Sequence, residues 1–140
     1  MGDAAALSRD AFLSHVGKLA EEAVDVEGMG KVLCRELTGA QRAKVLEALA
    51  PAVQEGGRAD LARYQEMLLE NGLIDPSSPA DARTPLLDYA DVTAAMKGMG
   101  ASKIEQLCGA IERLSGLDAG ARQRAEKNSK ATPSSTTGSE

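Results

Sequence analysis

The chain holds one histidine and two cysteines, His15, Cys34 and Cys108, and these bound its chemistry. A nucleophilic Ser-His or Cys-His pair needs the base within hydrogen-bond reach of the nucleophile, and the sequence places His15 beside neither thiol. The bland reading of His15 is an ordinary histidine on a helix surface. One histidine and two remote cysteines make no ligand set of metal-binding spacing, so no metal site is expected. Each cysteine lies in an apolar pattern, which reads as a buried free thiol. Gly98-Met99-Gly100-Ala101-Ser102-Lys103 has the composition of a phosphate loop. It lacks the Gly-x4-Gly-Lys-Ser/Thr spacing and follows no buried strand, which rejects nucleotide phosphate as a ligand. The 21 Asp and Glu residues fall on the polar faces of helices, Glu66 and Glu70 being i, i+4 neighbours on one such face. Acid–base catalysis needs paired carboxylates in a desolvated cleft, and no pattern promises one. The expectation is a protein without catalytic residues or cofactors, not an enzyme.

Binding is the class that remains. Met29, Met67, Met96 and Met99 could supply an adaptable apolar surface. Met67 and Met96 read as gap fillers in an aromatic-poor core. Met29 and Met99 each sit between glycines in a predicted turn, where exposure and burial are both open, and they are the candidate partner-binding residues.

The elements that would position these residues are mostly helical. With one Phe, two Tyr and no Trp, the core must come from Leu, Val, Ile, Ala and Met, which suits packed helices. Ser8 caps a first helix expected to run to about Glu22, with Phe12, Val16 and Leu19 on its inner face. Val24 and Val26 alternate on one arm of a β-hairpin near residues 23–37, and Val32 and Cys34 on the other; Gly28-Met29-Gly30 makes the turn. Thr38 and Gln41 form a capping box that opens a helix carrying Val45, Leu46, Leu49 and Val53, which Pro51 kinks or ends near Leu49. A third helix is predicted from about Arg58 to Asn71 with Leu61, Tyr64 and Leu68 inward, stopped by Gly72 in a left-handed conformation. The prolines and serines of residues 75–85 read as a loop. Helix signals resume near Leu86, with Tyr89, Val92 and Met96 on one face. After Gly98-Met99-Gly100, Ser102 caps the strongest stripe in the chain, Ile104, Leu107, Cys108, Ile111 and Leu114, and Gly116 ends it. The fold class is all-α, a bundle of about five helices with one minor hairpin. Residues 1–117 form the domain and residues 118–140 a polar, largely disordered tail.

Charge narrows the partners. Residues 1–117 carry 12 basic and 18 acidic groups, residues 118–140 four and three. An acidic body cannot make the dense phosphate contacts of nucleic-acid binding. Nothing approaches 18 consecutive apolar residues, so no membrane span is expected. The start, Met1-Gly2-Asp3-Ala4-Ala5-Ala6, lacks the basic region and apolar core of a signal peptide.

The hairpin, the Arg35-Glu36-Leu37-Thr38 entry into a capped helix, the late helix closing in Leu114-Ser115-Gly116-Leu117 and the polar Lys127-Asn128-Ser129 tail carry a resemblance. Over residues 23–130 the chain resembles the tail assembly chaperones of long-tailed (siphovirus-type) bacteriophages, in their short, non-frameshifted form. Its first arm is short and Pro51 falls within the second helix, where that family's pattern has neither feature. The resemblance implies a small helical protein without catalytic residues that binds the tape-measure protein, keeps it soluble and helps to recruit tail-tube subunits. It implies further partners in a longer frameshifted form and in other copies of itself, with no nucleic acid and no membrane. The expected location is the host cell cytoplasm, not the mature virion. The alternatives are a structural head–tail joining or tail-completion protein of the virion, and a small helical regulatory protein of host or phage.

Overall fold

The computed structural model describes residues 6–49 and 60–117. In chain order the elements are α1 (Arg9–Leu13), β1 (Glu21–Val26), β2 (Gly30–Arg35), α2 (Gly39–Glu47), α3 (Leu61–Gly72), α4 (Tyr89–Gly98) and α5 (Ala101–Leu114). The fold is mainly helical with one antiparallel hairpin. The hairpin pairs Glu21 with Arg35 through Val26 with Gly30 in unbroken register, starting and ending two residues before the expected span. Gly28 and Gly30 take φ of +83° and +106°, which the short turn between the arms requires. Pro51, Val53, Arg58 and the tail from residue 118 lie outside the described residues, so neither the kink nor the tail is addressed.

Helix α5 organises the core. Its stripe is buried at Ile104, Leu107, Cys108 and Ile111, with Leu114 packed at the margin. It lies against α3 and both strands, so residues 3.6 apart on the helix meet residues two apart on the hairpin, Val24 and Val26. At the C-terminal end the Ser115 hydroxyl accepts from the Leu37 N–H at 2.9 Å. Gly116 then takes φ of +71° and ends the helix as its position predicts.

Four local expectations are corrected. The first helix stops at Leu13, where Ser14 turns its N–H to Asp10 and its hydroxyl to Ala11. Gly17 at φ +85° carries the chain away from any helical path, so Phe12 and Val16 do not reach the core. Gly72 is not left-handed: it is the last residue of α3, and Leu73 beyond it is extended. Its role is steric, because Ile111 occupies the space a side chain would need. Helix α4 begins at Tyr89 behind a capping box of Asp88 and Asp91. Tyr89 therefore stands on the outer first turn, exposed, under the guanidinium of Arg63 at 5.9 Å. Ser102 lies inside α5, whose N-cap is Gly100 with no side-chain bond.

Two substitutions check this packing. A Cβ on Gly72 would lie 2.6 to 2.8 Å from three side-chain carbons of Ile111, so Gly72→Ala should cost about 1–3 kcal/mol in urea unfolding. Ile111→Asp buries a carboxylate at a site with no solvent exposure; it should cost about 4 kcal/mol or more, and circular dichroism should show loss of the cooperative melt.

Candidate functional site

The residues with chemical potential are spread through the fold. His15 sits in the turn after α1 and is exposed, rather than on a helix surface. Cys34 and Cys108 are both buried free thiols, on β2 and α5. Burial pushes the Cys34 thiol up from 9.0 to about 11; the Glu22 carboxylate adds to the rise and Arg113 opposes it. A thiol held neutral is a poor nucleophile, since the thiolate is the reactive form. Among the described residues no three His, Cys, Asp or Glu side chains converge as a metal site, and no helix is long and apolar enough to cross a membrane.

The buried polar groups serve packing. Tyr64 is fully buried on α3, and its hydroxyl donates to Glu112 Oε2 on α5 at 2.6 Å. That bond gives a core phenol the partner it needs and ties α3 to α5. The pair was not visible from spacing, because Glu112 falls just beside the apolar stripe. The Arg35 Nε is buried without a hydrogen-bond partner among the described residues. A shallow groove of about 210 Å³ is lined by Ala40, Gln41, Lys44, Met67 and Asn71. It carries no carboxylate pair or thiol.

What the surface does present is unburied apolar mass. Leu7, Phe12 and Val16 are 61%, 65% and 70% exposed, with Leu13 exposed beside them. Ser8 caps α1 by accepting from the Ala11 N–H at 3.1 Å, and the short helix buries none of its residues. The only phenylalanine of the chain thus stands in solvent. Met29, at the hairpin tip, is also exposed, as one of its two open readings allowed. Met99 is different: it packs against the core at the end of α4, its N–H donating to the Ala95 carbonyl at 2.9 Å. The two candidate methionines thus have unlike surroundings, and Met29 alone is a surface residue. The N-terminal arm was the missed element, and the signal was Gly17, which interrupts the pattern after only two turns. Compared with known proteins, the chain matches no family model, no curated protein and no solved structure.

The raised Cys34 pKa makes a prediction in alkali. A thiol whose folded pKa exceeds its unfolded value contributes stability that is intact below 9.0 and lost as pH rises through about 11. Urea unfolding between these limits should show stability falling with pH more steeply in the parent than in Cys34→Ala.

Proposed function

We propose that this chain is a non-enzymatic binding protein of phage tail assembly. In this reading it is the short form of a tail assembly chaperone that holds the tape-measure protein soluble and helps to bring tail-tube subunits to it. The observation that carries the reading is the exposed apolar arm, in which Leu7, Phe12, Leu13 and Val16 stand in solvent within ten residues, whereas the other exposed large side chains, Met29, Leu86 and Tyr89, are scattered along the chain. Burying a Phe or Leu side chain is worth roughly 1.5–3 kcal/mol, so an arm that leaves four such groups in water has that much to gain from a partner. A long chain with exposed apolar helical segments is such a partner. Each copy then covers one stretch, and the acidic body, −6 over residues 1–117, keeps neighbouring complexes apart by charge repulsion.

Support for the family comes from the hairpin and the Arg35-Glu36-Leu37-Thr38 junction. There the Thr38 hydroxyl accepts from the Gln41 N–H at 3.1 Å and the Gln41 side chain accepts from the Thr38 N–H at 3.0 Å. Co-expression with the tape-measure protein should move that partner from pellet to supernatant, with several copies of this chain bound to each. Phe12→Ser with Val16→Ser should weaken the complex about tenfold or more while leaving the melt nearly unchanged, because neither side chain is buried. A tape measure that stays insoluble, with this chain recovered in purified virions, would replace the chaperone reading with that of a structural tail protein.

A further inference from the structure

The two edges of the hairpin are finished differently. Register and hydrogen bonding together say which backbone groups face outward. The Glu36 N–H donates to the Ala20 carbonyl, so pairs alternate from there, and Glu21, Ala23 and Asp25 of β1 belong to the pairs whose N–H and C=O groups point away from the partner strand. On β2 the outward carbonyl of Leu33 is taken by the Ile74 N–H at 3.0 Å, and the bridge between Cys34 and Leu73 covers that edge. On β1 the Asp25 carbonyl alone is met among the described residues, by the Gln106 side chain at 3.0 Å. The N–H and C=O of Ala23 have no partner among the described residues.

We propose that the open edge of β1 docks an extended partner segment by strand addition, and that this segment carries lysine or arginine at alternate positions. Strand addition satisfies the row of outward groups through main-chain bonds and reads side chains two apart. Charge selects the occupant. Residues 21–27 hold four carboxylates and no base. Glu21 and Glu22 are neutralised by Arg83 at 3.0 Å and Arg113 at 2.7 Å. Asp25 has only Lys31, 3.9 Å away with both side chains mostly exposed, and Glu27 has no ion pair among the described residues. Asp25 lies on the exposed face of β1 and Glu27 in the turn just past Val26, so both of these carboxylates stand at the turn end of the open edge. A second copy of β1 is the wrong occupant: antiparallel pairing about Ala23 sets Glu21 opposite Asp25 twice, and like charges directly opposite destabilise a sheet. The surface is distinct from the apolar arm, and the inference does not depend on the tail-assembly reading.

The test is a titration of the full chain with a six-residue peptide alternating lysine and valine, read by amide hydrogen exchange. An otherwise identical peptide with glutamate for lysine is the control. The lysine peptide should slow exchange at the Ala23 and Asp25 amides about tenfold or more, the control should not, and added salt should weaken the effect. Ala23→Pro deletes an outward donor that the hairpin itself does not use, the placement edge strands tolerate; it should weaken binding about fivefold to tenfold with the fold retained. Should that variant fail to fold, Asp25→Lys carries the same test, and should lose the lysine peptide and gain the glutamate one. Absent protection of β1, binding indifferent to both substitutions, or a concentration-dependent dimer that protects the same amides would overturn the proposal.

Discussion

Helices α3 and α5 approach so closely at Gly72 that Ile111 fills the place where any side chain would stand, and the rest of the core is arranged around that contact. Ile111 and Leu68 have no exposure, and Leu107, Leu69 and Leu73 have almost none. With few aromatic residues in the chain, large rings cannot fill gaps, and the helices must draw together until branched aliphatic side chains interlock. The one ring taken fully inside, Tyr64, brings a hydroxyl with it. The adjacent residue on α5, Glu112, supplies the acceptor, so a carboxylate 2% exposed follows from admitting a tyrosine to an aliphatic core.

The hairpin depends on this pair of helices in turn. Two strands alone are marginal in water. Here the apolar face, Val24, Val26 and Cys34, is buried in the same cluster as α5, and polar clamps set its position. Arg113 on α5 reaches Glu22, Arg83 from the loop before α4 reaches Glu21 through two 3.0 Å bonds, and Gln106 holds the Asp25 carbonyl. These bonds explain why β1 starts at Glu21 although neither glutamate has strand propensity. They also leave one side of the ribbon covered and the other open.

Apolar residues therefore fall into two populations. One makes the core cluster of helices and hairpin. The other is exposed among the described residues: Leu7, Phe12, Leu13 and Val16 on the arm, Met29 at the hairpin tip, and Leu86 and Tyr89 where α4 begins. The core closes without the chain's only phenylalanine, whose side chain stays 65% exposed on the short first helix.

Local chemistry was legible in the residues. The Thr38–Gln41 box, the Ser8 cap, the glycine turn at 28–30, the stop at Gly116 and the α5 stripe each depend on neighbours within four positions, and periodicity together with aromatic poverty determined a helical fold with one hairpin. What depended on distant residues was decided by tertiary structure. Phe12 and Val16 have helical spacing, but α1 stops at Leu13 and Gly17 turns the chain, so that the spacing alone does not bring the face to the core. Gly72 had the look of a helix stop and is instead a clearance for Ile111, 39 positions later. Met29 and Met99 have the same flanking glycines and differ because only α4 ends against the core. Tyr64 and Glu112, 48 positions apart, show the limit most plainly: a hydrogen bond in the core requires both helices in register, and no short-range pattern encodes it.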